Sequence, residues 1–240
     1  MRIDNYLFVK NYFDSRTKAK QSIERGEVFI NGKKLDKPSF EINENLQYNI
    51  EIIHEDCFVS LGGYKLKKAL QEFNFSVKNF VVADVGASTG GFTDCLLQNG
   101  AKKVYAVDLN NQLLHYTLKN NSKVVSIIKN AKDLTLLDFE DELDFIVADL
   151  SFISITKIIP IFSQLIGKNK HIIILVKPQF ESNIRVKHKN GIIRDDKERN
   201  QALENVLNCA KNNSFEFVKI TKTNASFDKN IEFLLLLRKI

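Results

Sequence analysis

The chain has 240 residues, of which 44% are hydrophobic and 27% charged, and its formal net charge is +6 at pH 7. This composition predicts a globular protein with a packed core and excludes a low-complexity chain. Its three cysteines form no C-x-x-C pair and its four histidines are dispersed, so we expect neither a disulfide framework nor a metal site. The positive charge favours an anionic partner only modestly.

Segments that would direct the chain to a membrane are not evident. Its first residues carry charges every few positions and contain no apolar signal region. The longest apolar runs, IIILV at 172–176 and FLLLL at 233–237, have the length of strands and are too short to span a bilayer. We therefore expect a soluble, cytoplasmic protein that does not enter membranes.

Residues 1–52 are predicted to form a small α+β domain. A helix is expected from a cap at Ser15 to Ile23, with Gly26 just beyond its end. The strand VFI follows, and the dipeptide Asn31-Gly32 is a two-residue hairpin signal before KKL.

Basic side chains are concentrated in this first domain. A single surface lysine is usually only solvated. The segment also has the pattern Arg2-x-Asp4, Ser15-Arg16-x-x-Ala19 and Ile23-x-x-Gly26-x-Val28-x-Ile30-Asn31-Gly32, which resembles the RNA-binding domain first known in ribosomal protein S4. That resemblance implies phosphate contacts, which position a protein on RNA without reading its sequence. The implied RNA-binding residues are Arg2, Arg16, Lys18, Lys20, Arg25, Lys33 and Lys34.

A connector at 53–63 and a helix from Lys65 to Phe73 lead to a second domain, 64–240. Here apolar strands alternate with helical stretches, which predicts a doubly wound α/β fold with helices on both faces of a parallel sheet. A hairpin between the last two strands would make the final strand antiparallel. The polar stretch 180–197 is predicted to be a loop beside the site. The expected strands are 80–85, 104–107, 124–128, 144–148, 171–176, 215–221 and 231–238.

A glycine-rich turn follows the first strand of this domain. Such a turn lets the backbone approach a ligand, and Asp108 at the end of the next strand is placed to bind ribose hydroxyls. The geometry suits a dinucleotide or S-adenosylmethionine. Ser88 stands where a pyrophosphate needs glycine, and Asp84 suits a cationic amino-acid group, so both favour S-adenosylmethionine. The predicted cofactor-binding residues are Asp84, Gly86, Ser88, Gly90, Gly91, Asp108, Asn130 and Asp149, with Asn130 on the adenine side.

Four charged residues are expected at the carboxyl edge of the sheet. Asp149 and Lys177 each follow a strand, and an antiparallel last strand would begin beside them at Glu232. Lys65 can reach this edge from the preceding helix. A charged residue at a strand end is often only the transition to solvent, but two lysines and two carboxylates together indicate a catalytic centre.

The stretches VSLGGYKL, DVGASTGGFTDCLLQNGA, DLSFIS and KPQFE, with the N-terminal domain, resemble the TlyA family. These are ribosomal RNA 2′-O-methyltransferases related to the FtsJ group. The resemblance implies a Rossmann-like methyltransferase fold, S-adenosylmethionine as cofactor, and a cytidine of large-subunit or also small-subunit RNA as target. It also implies a catalytic tetrad of Lys65, Asp149, Lys177 and Glu232. The chain departs from the family at Leu61 and at 227–230.

The mechanism that follows from this resemblance centres on Lys177. We expect Lys177 to contact the ribose 2′-oxygen, with Asp149 and Glu232 orienting its ammonium group and Lys65 steering the adjacent phosphate or ribose. Three other function classes stay open at this point: a non-catalytic RNA-binding or ribosome-assembly factor, a membrane-active haemolysin, and a nicotinamide oxidoreductase.

Overall fold

The computed structural model describes residues 1–24, 26–44, 46–52, 58–181, 192–223 and 230–240. The chain divides into two compact units, Met1–Cys57 and Phe58–Ile240. The division falls inside the segment 53–63 that we predicted to be a connector. Arg25 and most of the loop predicted at 180–197 lie outside the described residues, as do residues 227–229.

The first unit is a small α+β fold. Its three strands form an antiparallel sheet in the order β2-β1-β3. The hairpin turn at Asn31 and Gly32 has φ angles of 50° and 74°, which is the left-handed backbone that this dipeptide favours. The elements are α1 (Ile3–Val9), α2 (Arg16–Glu24), β1 (Val28–Ile30), β2 (Lys33–Lys34) and β3 (Ile50–Ile52).

Helix α1 was not predicted from the sequence. Ile3 and Leu7 lie one helical turn apart, are fully buried, and pack with Ile23 and Val28 in the core of the unit. At the start of α2, the Ser15 hydroxyl accepts a hydrogen bond from the Lys18 amide at 3.2 Å, as expected for a cap.

The second unit contains a seven-stranded sheet in the order β6-β5-β4-β7-β8-β10-β9. The first five of these strands are parallel, and β10 is antiparallel to both of its neighbours. This confirms the predicted doubly wound sheet with an antiparallel last strand. The strands are β4 (Val81–Val85), β5 (Lys103–Asp108), β6 (Val124–Ile128), β7 (Phe145–Ala148), β8 (His171–Val176), β9 (Phe215–Lys222) and β10 (Phe233–Lys239).

Helices connect these strands. Short 3-10 helices lie at Asn111–Leu113, Ala131–Asp133, Leu136–Asp138 and Ile155–Lys157. The α-helices are α3 (Leu61–Phe73), α4 (Gly91–Gln98), α5 (Tyr116–Lys119), α6 (Ile159–Leu165), α7 (Pro178–Glu181) and α8 (Asp196–Asn212).

Helix α3 begins earlier than predicted, at Leu61. Glycines disfavour a helix interior, and for that reason we placed the pair at 62–63 in the connector. In the structure α3 and α4 pack closely at this point, and a Cβ added to Gly91 would lie 2.9 Å from the backbone nitrogen of Gly63. Tertiary packing therefore overrides the local preference. The loop predicted at 180–197 is also too long, because residues 180–181 end helix α7 and residues 196–197 begin helix α8, which Asp195 caps.

The central strands of the sheet are buried on both faces. Ala83, Ile146 and Ile174 point into one hydrophobic core, and Phe145 and Ile173 point into the other. Successive residues thus alternate between two cores, as in a sheet covered by helices on both sides. Because these strands are parallel, their carboxyl ends meet at one edge of the sheet. No helix in the described residues is long and apolar enough to cross a membrane.

Replacing Phe145 by alanine should strongly destabilise the second unit. Phe145 is fully buried, and its ring centroid lies 4.9 Å from that of Phe75. We expect a loss of about 3–5 kcal/mol in the free energy of unfolding, measured by urea denaturation with circular dichroism. Phe217→Ala is the matched control, because Phe217 is 51% exposed on an edge strand, and its effect should stay below about 1 kcal/mol. Equal losses in the two variants would contradict this account of the core.

Candidate active site at the carboxyl edge of the sheet

The glycine-rich turn after β4 has a backbone that only glycine accommodates at two positions. Gly86 and Gly90 have φ angles of +86° and +94°. A Cβ on Gly86 would lie 2.6 Å from the Asp149 carbonyl oxygen, and one on Gly90 would lie 2.2 Å from Leu118 Cδ1. The turn therefore packs tightly against the loop after β7 and leads directly into helix α4. Ser88, between the two glycines, is also left-handed, with a φ of 50°.

Asp84 is a buried acid in β4, two residues before Gly86. Its side chain is fully buried, and Thr93 Oγ1 donates a hydrogen bond of 2.6 Å to its Oδ2. Its Oδ1 is buried with no hydrogen-bond partner in the described part of the chain. Burial raises the pKa of Asp84 to about 7, and the nearby carboxylates of Asp149 and Asp108 act in the same direction. A cationic group at Oδ1 would satisfy this oxygen.

Asp108 connects the end of β5 to the same turn. Its Oδ2 accepts a hydrogen bond of 2.8 Å from the Ser88 amide, and its Oδ1 accepts a weaker one of 3.3 Å from the Asn110 amide. The structure therefore brings Asp84, Asp108 and the glycine turn together. Asn130, by contrast, caps the 3-10 helix that follows β6 by accepting a hydrogen bond from the Lys132 amide at 3.0 Å. Its contact with adenine stays a prediction.

The four charged residues expected at the rim form two ion pairs. Lys177 Nζ lies 2.6 Å from Asp149 Oδ1, and Lys65 Nζ lies 2.7 Å from Glu232 Oε2. In the antiparallel pairing of β8 with β10, Val176 lies opposite Phe233. Lys177 directly follows Val176 and Glu232 directly precedes Phe233, so both residues lie at the same end of two adjacent strands. All four side chains therefore belong to one edge.

The pairing differs from the one we expected for Lys177. Glu232 was expected to orient Lys177, but it binds Lys65, which reaches it from helix α3. The second contact of Lys177 is Ser151, whose Oγ accepts a hydrogen bond of 2.8 Å from Nζ. This serine belongs to the motif DLSFIS, but the sequence did not lead us to predict a role for it. The sequence did contain a signal for this role, because Ser151 is a hydroxyl residue two positions after Asp149, the carboxylate that follows strand β7.

The loop that carries Asp149 and Ser151 is held in place by Glu181. The buried Glu181 side chain accepts hydrogen bonds from Ser154 Oγ at 2.5 Å and from the Ile155 amide at 2.8 Å. Burial raises the pKa of Glu181, although these hydrogen bonds oppose the shift. Because Glu181 follows Lys177 by four residues and ends helix α7, the bonds fix both halves of the Lys177–Asp149 pair relative to each other.

An aromatic side chain projects from the same loop. Phe152 is 92% exposed and has a φ of +66°, which is unusual for a bulky residue and often marks a functional position. Its ring centroid lies 5.6 Å from that of Phe180. The exposed ring offers a face on which a nucleobase could stack.

The basic residues predicted to contact RNA lie on the first unit. Arg2 and Arg16 both bind Asp4, whereas Lys18 pairs with Asp14 and Lys20 with Glu24. Lys33 and Lys34 are exposed on β2, and Arg25 is outside the described residues. Apart from Arg25, the predicted set consists of side chains that are accessible to solvent.

Comparison with known proteins identifies both units. Residues 58–239 match the FtsJ-like methyltransferase family, and residues 1–47 match the S4 domain. The chain is 44% identical over 237 residues to hemolysin A of Brachyspira hyodysenteriae, covering 98% of each protein. It is 36% identical over 215 residues to the 23S rRNA (cytidine-2′-O)-methyltransferase TlyA of Campylobacter jejuni, covering 82% of this chain and 83% of that protein.

A solved structure shares the whole architecture. It is a protein of Streptococcus thermophilus described as a hemolysin, with a TM-score of 0.74 and 36% identity, covering 100% of this chain and 88% of the other. The match to the family over more than half of the chain and the identity to full-length relatives agree with the resemblance found in the sequence. The chain belongs to the FtsJ-like methyltransferases and, within them, to the TlyA group, in which an S4 domain precedes the methyltransferase domain.

Proposed function

We propose that this protein methylates a ribose 2′-hydroxyl of a cytidine in ribosomal RNA, using S-adenosylmethionine, and that it does so in the cytoplasm. The observation that carries this proposal is that the Lys177–Asp149 pair lies at the same edge as the glycine-rich turn and Asp84, whose Oδ1 has no hydrogen-bond partner in the described residues. The family membership and the name of the Campylobacter relative support the reaction and the target. Large-subunit RNA is the favoured substrate because the name of that relative specifies 23S rRNA.

The residues at the glycine turn fit S-adenosylmethionine. When bound, this cofactor supplies a methyl group on a sulfonium, and it also carries an ammonium and two ribose hydroxyls. Asp84 Oδ1 is a buried acceptor without a partner among the described residues, which suits the ammonium. Asp108 already accepts from the backbone of the turn and is placed to receive ribose hydroxyls. Gly86 and Gly90 let the turn pack against the Asp149 carbonyl and the Leu118 side chain, which fixes the shape of the turn.

Lys177 is the residue we assign to the reacting oxygen. An ammonium group has three N–H donors. Lys177 Nζ donates one to Ser151 and forms an ion pair with Asp149, and a remaining donor can hold the ribose 2′-oxygen and aim its lone pair. Orienting a nucleophile in this way contributes roughly 7–11 kcal/mol in favourable cases. The hydroxyl proton leaves late, and the Asp149 carboxylate or water accepts it as the methyl group passes from the sulfonium to the oxygen.

The Lys65–Glu232 pair and Phe152 serve substrate placement in this proposal. Lys65 is partly exposed beside the pair that holds the oxygen, so its charge can attract the adjacent phosphate while Glu232 limits its motion. Phe152 can stack on a base that has left its helix. The S4 domain docks the protein on RNA through phosphate contacts, which leaves the choice of nucleotide to the methyltransferase domain.

Lys177→Ala should abolish methyl transfer while leaving cofactor binding nearly unchanged. The variant removes the group that holds the nucleophile but no group that we assign to S-adenosylmethionine, so we expect a loss of at least about 100-fold in turnover. Lys177→Arg should fail as well, because the planar guanidinium has a different shape. Transfer of tritium from labelled cofactor to large-subunit rRNA measures turnover, and calorimetry measures binding.

The control for these variants is Lys157→Ala. Lys157 is an exposed lysine in the 3-10 helix that follows the active-site loop, and the variant removes the same charge without touching the site. It should retain full turnover. Turnover of Lys177→Ala at the level of this control would reject the role that we give to Lys177.

Binding of S-adenosylmethionine should weaken as the solution becomes more acidic than about pH 7. The raised pKa of Asp84, about 7, means that the free protein holds a neutral carboxyl group below that pH, and binding a cation then requires loss of its proton. The dissociation constant should rise by up to about tenfold per pH unit on this side. Above about pH 8 the amino group of the ligand itself loses charge, so affinity should peak between these values.

Asp84→Asn tests this assignment. The variant should bind S-adenosylmethionine more weakly, and its affinity should no longer fall as the pH drops below about 7. Calorimetry between about pH 5.5 and 8.5 measures this affinity. Asp133→Asn, at an exposed position, is the control and should keep the wild-type profile. An unchanged acid side in Asp84→Asn would show that another group causes it.

A further inference from the structure

In the first unit, one buried acid binds two half-exposed arginines. Asp4 lies in the first turn of α1 and is only 2% exposed. Its Oδ2 is 2.9 Å from Arg2 NH2 and 3.2 Å from Arg16 NH2, and its Oδ1 accepts from Arg2 Nε at 3.2 Å. The side chains of Arg2 and Arg16 are 46% and 50% exposed. Two guanidinium groups from the starts of two helices therefore meet at one carboxylate.

The carboxylate is charged and leaves most of the arginine donors available. Burial by itself would raise the pKa of Asp4, but the hydrogen bonds from Arg2 and Arg16 together lower it below its usual value. The three groups together carry one negative and two positive charges, and the Glu41 carboxylate also interacts electrostatically with Arg2. The bonds to Asp4 use two of the five N–H donors of Arg2 and one of those of Arg16. The remaining donors can bind an anion.

A neighbouring ion pair of the same unit lacks this arrangement. Lys18 and Asp14 are also within hydrogen-bond distance, at 2.6 Å, but their side chains are 62% and 86% exposed. An exposed pair of this kind is held weakly, because water competes for both partners. A long arginine side chain loses conformational freedom when it binds a phosphate. If the buried Asp4 carboxylate already holds the arginine, part of this entropy has been lost before the phosphate binds, so binding costs less free energy.

We propose that Asp4 is a positioning residue that prearranges Arg2 and Arg16 as a two-guanidinium site for RNA phosphate. The proposal rests on the proposed function in that the anion belongs to ribosomal RNA. Guanidinium groups suit this ligand because their planar N–H donors match phosphate oxygens in pairs. Asp4 acts through the arginines and need not touch RNA itself.

Removal of the Asp4 charge separates positioning from simple attraction. Asp4→Asn makes the protein more positive, so attraction alone predicts tighter binding of RNA. Loss of positioning predicts the opposite, and we expect affinity to fall about five- to tenfold. The slope of log affinity against log salt concentration should become shallower by about one for each phosphate that the arginines no longer bind. The measurement is filter binding of transcribed large-subunit rRNA to the full-length protein at several KCl concentrations.

The matched control is Asp14→Asn, which removes the same charge from an exposed pair of the same unit. It should bind RNA as tightly as the wild type or slightly more tightly. A gain in affinity in Asp4→Asn equal to that of the control would overturn the proposal. Failure of the wild-type protein to bind rRNA would instead overturn the proposed substrate, and the proposal about Asp4 with it.

A double-variant cycle distinguishes positioning from a general loss of structure. In protein that already carries Arg2→Gln and Arg16→Gln, Asp4→Asn should cause no further loss of RNA affinity, because the arginines it positions are gone. A further fivefold loss in that background would show that Asp4 acts only through the stability of the unit and would reject the proposal. Thermal unfolding followed by circular dichroism compares the fold of each variant.

Discussion

The ion pair between Lys177 and Asp149 depends on the order of the strands. Each residue directly follows a strand, and β7 and β8 are parallel neighbours, so their carboxyl ends are adjacent. The antiparallel β10 then brings Glu232 to the same edge from the other side of β8. No local feature of the chain creates this meeting of charges. It follows from burying both faces of the central strands, which leaves their ends as the place where polar groups can gather.

Buried carboxylates hold the functional groups of both units in place. Burying a carboxylate is costly unless it is hydrogen-bonded or paired with a cation. Asp4 is paired with two arginines, and Glu181 is bonded to the loop that carries Asp149. Asp84 differs, because one of its oxygens has no partner in the described residues and its pKa is raised. The same physical rule supports the roles that we propose for Asp4 and Asp84, and it explains why Glu181 is bonded to its loop.

The division of the four charged residues into two pairs has a chemical consequence. With Glu232 bound to Lys65, the second partner of Lys177 is the neutral hydroxyl of Ser151. The number of partners of Lys177 is the same as if Glu232 bound it, but only one negative charge lies next to its ammonium group. The ion pair with Glu232 also limits the motion of the partly exposed Lys65, which suits the role in RNA placement that we propose for it.

The sequence alone determined the class of fold, the succession of strands and helices along the second unit, and the family. These properties follow from local signals: alternating strand and helix periodicity, the turn residues at Asn31-Gly32, and the glycine-rich motif after β4. It also indicated that Asp149 and Lys177 lie at one edge, because carboxyl ends of parallel strands share an edge. An antiparallel last strand added Glu232 to that edge, and the preceding helix added Lys65. Tertiary structure alone decided which charges pair, that Ser151 binds Lys177, that Asp4 holds two arginines, and that α3 begins at Leu61. Those details depend on distances between side chains far apart in the chain, which periodicity and motif spacing do not encode.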